Sequence, residues 1–218
     1  MLNAGDFLPA YSLLDGLNYK DSEEQIAKLH QIFFSQGFLN AEVGSTVSLG
    51  SLEWIVLKKQ SNRVLVISKY AVGFQPYNTP SASVTWETCS LRKWLNGTFF
   101  DETFSEFEQF LIPTVTVKAD ANPTYDVDQG NDTQDKIFLL SVSEVDTYFP
   151  STGERKLYSE DGQGSYRWWL RTSGSGTNRA TSVYAGGGID KSGTNVGTTD
   201  IAVRPALWID LSILNPES

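Results

Sequence analysis

Ser165-Tyr-Arg-Trp-Trp-Leu-Arg-Thr172 and Ala202-Val-Arg-Pro-Ala-Leu-Trp-Ile-Asp-Leu211 decide how this chain is read. Both are dense in aromatic and β-branched residues, the composition of buried strands. Each holds one arginine inside an apolar run, Arg171 and Arg204. An enclosed guanidinium without acceptors is costly, so each is expected to meet buried carbonyls or a carboxylate and to play a structural part. Trp168 and Trp169 belong to the same frame. Pro205 has no amide donor and must sit at an edge or a strand irregularity. Between the two runs, residues 172–201 are rich in Gly, Ser, Thr and Asn. Val183, Ile189 and Val196 recur there, with Gly186, Gly187, Gly188 and Gly193 between them. That pattern predicts short twisted hairpins pinned by single apolar residues, with the intervening side chains in solvent.

Working back toward the start, Val47–Gly50, Glu53–Leu57 and Arg63–Ile67 read as strands, the last two joined at Gln60-Ser-Asn62 into a central hairpin. Residues 71–83 and 151–164 read as loops. Ser90–Asn96 reads as a helix ended by Gly97, and Asp101–Leu111 as a second. In the latter, Phe104, Phe107 and Leu111 share one side, and Glu102, Glu106 and Glu108 form a solvated face. Segments 113–118 and 136–141 read as strands, and Ser143–Phe149 as a third helix. The expected class is therefore α+β, with short antiparallel sheets and two to three helices.

Residues 1–40 have a different character. Ser22-Glu-Glu-Gln25 fits a capping box, Ile26, Leu29, Ile32 and Phe33 follow at helical spacing, and Gly37 is a plausible stop. With Phe7–Leu14 this makes a helical hairpin. Leu13-Leu-Asp-Gly-Leu-Asn-Tyr-Lys-Asp-Ser22 resembles one unit of a tetratricopeptide-like array. The hairpin would pack on the mixed domain, 41–213, or dock on another chain through Phe33, Phe34 or Phe38. Residues 214–218 are a tail.

Composition limits the chemistry. Of 218 residues, 17 are Lys or Arg and 26 are Asp or Glu, a formal net charge of -9. That disfavours a nucleic-acid backbone or an anionic membrane as partner. No run of apolar residues is long enough to insert in a bilayer, and the start lacks the pattern of a signal peptide. The chain is expected inside the cell or exported within an assembly. Cys89 is the single cysteine and His30 the single histidine, which leaves no Ser-His-Asp or Cys-His arrangement in the mixed domain. Asp126-Val-Asp-Gln-Gly-Asn-Asp132 superficially resembles a calcium loop. It places Gly130 at the third ligand position and Asn131 at the turn glycine, and no glutamate closes it. No metal or other cofactor is expected, calcium being the one candidate.

The linear order Val43-Gly-Ser, Trp54-Ile-Val-Leu, Thr85-Trp-Glu, Leu91-Arg-Lys-Trp-Leu-Asn, Lys136-Ile-Phe-Leu-Leu-Ser, Trp168-Trp-Leu-Arg and Val203-Arg-Pro-Ala-Leu resembles a bacterial family of uncharacterised domains. The family is common in gut Firmicutes and their mobile elements. It looks like a distant relative of C-type-lectin-like folds, which include the formylglycine-generating enzymes and the variable proteins of diversity-generating retroelements. Two positions depart from its pattern. Thr172-Ser173 stands where Ser-Pro is usual, and Ala202 where Gly is usual. The resemblance implies a C-type-lectin-like mixed domain that displays residues 172–201 for binding. Small polar residues with an occasional tyrosine make an adaptable surface. The expected ligand contacts are Asn178, Arg179, Ser182, Tyr184, Asp190, Asn195, Thr198 and Asp200. The expected partner is a protein or carbohydrate, with a homo-oligomer open. Diversification by a retroelement is a sharper form of this reading. A structural part in a phage or cell-surface assembly is the alternative, and oxidation of the formylglycine-generating type is disfavoured because one cysteine cannot supply it.

Overall fold

The computed structural model describes residues 37–212. The expected hairpin over 1–40 therefore lies outside the described residues apart from 37–40, as does the tail. Phe38, considered above for an exposed docking surface, is 1% exposed and belongs to the core. The architecture is α+β with mostly antiparallel sheets.

One sheet runs β1 (Thr46–Leu49), β2 (Leu52–Gln60), β3 (Arg63–Ser68), β14 (Ala206–Asp210) and β7 (Ile137–Phe138) in spatial order. β3 is central, as its unbroken apolar run requires: Val64 through Ser68 are all buried. The hairpin partner β2 alternates, burying Trp54 and Val56 while Glu53 faces water, until a register shift between Val56 and Lys58. The second sheet runs β12 (Ile189–Asn195), β11 (Arg179–Val183), β10 (Trp168–Ser173), β13 (Ala202–Val203) and β4 (Gly73–Phe74). All six residues of β10 are buried, including Trp168 and Trp169 at 0% exposure. Burying each such side chain contributes about 3 kcal/mol, so this strand anchors the core.

The run Ala202–Leu211, read as one strand, is two. β13 pairs in parallel with β10 and β14 pairs antiparallel with β3, so the chain changes sheets at Arg204-Pro205. The opposing chain makes the same crossing. Ser68 N–H donates to Pro205 O at 2.9 Å, Val72 N–H to Val203 O at 3.0 Å, and β13 then pairs with β4. A two-stranded ribbon thus passes from one sheet into the other. Pro205, which cannot donate, sits where the ladder is interrupted and still offers its carbonyl.

Helix α1 (Ser90–Leu95) forms where expected, capped by the Cys89 sulfur, which accepts from Arg92 N–H. The helix expected over Asp101–Leu111 is instead two: α2 (Thr98–Thr103) and α3 (Glu106–Leu111). Phe104 is extended between them, and Ser105 starts α3 through a capping box with Glu108. Glu108 also accepts from Gly50 N–H at 2.6 Å, so it is an anchor and not part of a solvated face. Phe104 and Leu111 are buried, whereas Phe107 is 37% exposed. Helix α4 (Val142–Tyr148) starts at Ser141 with the same kind of capping box, closed by Glu144.

Strand β5 (Val115–Val117) pairs with β6 (Thr133–Asp135), not with the 136–141 segment. The reason is Asp135, which is 1% exposed and accepts from Trp86 Nε1 at 3.0 Å and Arg92 Nε at 2.6 Å. Asn96 then caps Lys136 N and Ile137 N and turns the chain into β7. The 151–164 loop contains β8 (Leu157–Tyr158), paired with β9 (Ser165–Tyr166).

Candidate functional site

Residues 172–201 were expected to show their polar side chains to solvent. The structure builds 172–173, 179–183 and 189–195 into β10, β11 and β12. Thr172, Ser173, Thr181 and Ser182 are buried, and their polar atoms are matched locally. Thr181 Oγ1 donates to Thr172 O at 2.8 Å, Thr172 Oγ1 accepts from Val142 N–H, and Asn122 bridges Ser173 O and Lys191 O. These hydrogen bonds let polar side chains occupy interior positions at little net cost.

The eight expected contacts therefore separate. Ser182 is fully buried and Asp190 is 8% exposed, so neither belongs to an open display. Both serve Arg167, whose Nε donates to Ser182 Oγ at 2.9 Å and whose Nη2 pairs with Asp190. Burial pushes the Asp190 carboxyl up. Hydrogen bonds from Ser192 and Gly193 and the charge of Arg167 outweigh it and hold the group below its ordinary value. Tyr184 is exposed above this cluster, with the Arg167 guanidinium 4.5 Å from its ring centre. Asn178, Arg179 and Asn195 are exposed at the other end of β11, roughly 16 Å away at the rise of an extended strand. There Arg179 Nη1 donates to Gly193 O and Asn195 Oδ1 accepts from Ser81 Oγ. Thr198 is half-buried and Asp200 exposed on the return toward β13. One small ligand cannot touch both ends.

The frame arginines are enclosed. Arg171 is 4% exposed, donates to Lys118 O and Leu139 O, and forks onto the Glu144 carboxylate. Arg204 is 2% exposed, and among the described residues only its Nε has a hydrogen-bond acceptor, Ser68 O at 3.1 Å. Its guanidinium lies over Trp168 and Phe149, 5.0 and 5.3 Å from the ring centres, and its Nη1 has no hydrogen-bond partner among the described residues. Desolvation pulls it down to about 9. Cys89 is fully buried, and burial pushes its thiol up to about 12.

A larger concave surface lies elsewhere. Two adjoining recesses of about 330 and 370 Å³ share Tyr70, Ala71 and Glu160, forming one groove over the ribbon that crosses between the sheets. The first is walled by Ser51–Glu53 of the β1–β2 hairpin and by Ser68. The second lies between the edge strand β4 and the β8–β9 hairpin, and is lined by Phe74, Tyr158, Asp161 and Tyr166. Phe74, Tyr158 and Tyr166 are 46%, 49% and 36% exposed, a concentration of open rings that isolated surface hydrophobics do not give. Phe74 and Tyr166 meet edge to face at 4.9 Å. The Ser68 hydroxyl is buried at the groove wall, with no hydrogen-bond partner among the described residues. None of these residues was among the expected contacts. The signal was modest: isolated aromatics in polar loops, such as Tyr158 beside Ser159-Glu-Asp161, with no core-like periodicity.

In the acidic loop, Asp128 caps Gly130 and its carbonyl accepts from Ser173 Oγ, while Asn131 is held by Glu87. Among the described residues no group of three or more His, Cys, Asp or Glu side chains converges as metal ligands do. No described helix is long and apolar enough to cross a membrane.

Residues 61–211 match a family described as a domain of unknown function, DUF6273. The chain belongs to that family. No curated protein matches it, and neither does any solved structure. The DUF6273 match takes in both sheet-crossing strands and the whole of the second recess.

Proposed function

We propose that this DUF6273 chain is a non-catalytic binding module of C-type-lectin-like plan that holds a protein or carbohydrate ligand in the aromatic groove. The observation that carries the reading is the gathering of Phe74, Tyr158 and Tyr166, each more than a third exposed, around one recess. Open aromatic faces on a concave surface are where binding energy concentrates. The lectin-like plan is supported by two small sheets, short flanking helices, and a final strand, β14, that returns beside β3. The frame of buried tryptophans and Arg204 fixes the groove floor, which lowers the ordering cost of binding. On this reading, retroelement diversification would vary only exposed positions of 172–201, which among the expected contacts are Asn178, Arg179, Tyr184, Asn195 and Asp200. A reverse transcriptase and a near-copy of this segment in neighbouring DNA would be its mark.

The test is a protein and glycan binding screen with and without calcium, repeated on Tyr158→Ala/Tyr166→Ala and on Asn178→Ala/Arg179→Ala/Asn195→Ala. The groove variant is expected to lose the hits and the other to keep them. The reverse pattern would return the site to the 172–201 surface.

A further inference from the structure

We infer that the second recess of the groove seats an organic cation, an ammonium or guanidinium group carried by the ligand. This rests on the groove being the binding site and adds the chemistry it selects. The recess combines two features. Its walls carry four aromatic rings, those of Tyr70, Phe74, Tyr158 and Tyr166. Its polar rim is carboxylate, with Glu160 and Asp161 in the second recess and Glu53 in the first. Ring faces attract a cation through their quadrupole, and carboxylates add charge. Sugars also stack on aromatic rings, so it is the balance of charge that separates the two ligand classes.

That balance is one-sided. Glu53 is matched by Lys69 at 3.1 Å, and Lys69 already lies over the Tyr70 ring at 5.2 Å. Asp161 accepts from Ser159 Oγ and Gln163 N, which satisfies its hydrogen bonding and leaves its charge. Glu160 lines both recesses and has neither hydrogen bond nor ion pair among the described residues. Among the described residues, two carboxylate charges therefore line the ring-walled recess uncompensated, and no arginine lines the groove. Arg204 reaches Ser68 O from behind the first recess and lines neither, which favours the second recess as the seat. The Lys69 ammonium over Tyr70 is the same contact made internally by the chain.

The experiment is a titration of the full chain, followed by amide NMR shifts at low salt. The probes are tetramethylammonium, n-butylammonium, a Gly-Lys-Gly tripeptide blocked at both ends, and the neutral tert-butanol and cellobiose. The ammonium probes are expected to shift residues 70–74 and 158–166 saturably, and tert-butanol, close in shape to tetramethylammonium, at least about tenfold more weakly. Tighter binding of the tripeptide than of butylammonium would assign the cation to a lysine within a peptide, and the converse to a free amine. Glu160→Gln should weaken ammonium binding about fivefold, and added salt should do the same. Tyr158→Ala should weaken it by a similar factor. Equal binding of tetramethylammonium and tert-butanol, or shifts there from cellobiose alone, would overturn the cation and leave the groove standing. If every probe is silent there while screen hits map to the 172–201 surface, the groove itself fails.

Discussion

Arg204→Ala and Arg204→Met together separate what a buried guanidinium does here by charge from what it does by bulk. Lowering this group from 12.5 to about 9 corresponds to roughly 5 kcal/mol lost by the charged form on burial, and at neutral pH it stays charged. The compensations are on the same scale. Two desolvated ring faces give about 2 kcal/mol each, and a charged hydrogen bond to Ser68 O about 2 kcal/mol. The charge therefore roughly breaks even, and the side chain's volume between Trp168 and Phe149 remains as net stabilisation. Arg204→Ala empties that volume and should cost about 3 kcal/mol. In a chain of this size that lowers the melting temperature by about 10 °C. Arg204→Met keeps an unbranched stem against both rings and should stay within about 1 kcal/mol of the parent. Urea unfolding followed by tryptophan fluorescence measures both. A methionine variant as damaged as the alanine one would place the stabilisation in the charge, and an undamaged alanine variant would refute the packing role.

Gly187 has φ +89, and a Cβ there would stand 1.8 Å from Thr152 O. Gly187→Ala should cost about 3 kcal/mol or more in urea unfolding, while Gly186→Ala, with nothing within 4 Å, should stay within about 0.5 kcal/mol. Asp190 and Asp120 are both held below the ordinary carboxylate value. For Asp120, burial pushes upward, and the Ser141 and Ser143 hydroxyls with Arg171 overcome it. A folded value below the unfolded one means their stabilisation is complete above about pH 4 and drains away as pH falls through the folded value. Asp190→Asn should therefore unfold at lower urea near neutrality and show a shallower acid decline; an unchanged slope would reject the linkage. Cys89 should react with a thiol reagent only as fast as the chain unfolds, and rapid labelling of the native protein would contradict its enclosure.

Much of the frame was legible because burial leaves a periodic mark. The apolar run Val64–Ile67 announced the central strand, and the arginines inside apolar runs announced enclosed guanidinium groups. The break at Phe104-Ser105 was legible too, since Ser105-Glu-Phe-Glu108 is a capping box, but the apolar spacing of Phe104, Phe107 and Leu111 spoke for one helix. The pairing of β5 with β6 was not legible, because a buried Asp135 depends on Trp86 and Arg92, far away in sequence. Composition misled most at 172–201. Thr181 and Ser182 look like surface residues until cross-strand partners are known, and only the folded sheet supplies those partners. The groove aromatics carried no period at all, because a wall assembled from the short strand β4 and the β8–β9 hairpin, far apart in the chain, has none.

The ribbon that crosses between the sheets sets an order of events. Arg204 meets the carbonyl of a residue 136 positions earlier, and β3 has β14 as its second neighbour. During synthesis, β2 and β3 can zip as soon as they emerge, yet one flank of β3 waits for Ala206–Asp210. Closure across such a separation is slow, and the open flank is sticky meanwhile. The groove floor therefore forms only after residues 201–210 have emerged and docked. A recess that depends on that docking reports, by its presence, that the two sheets have been joined.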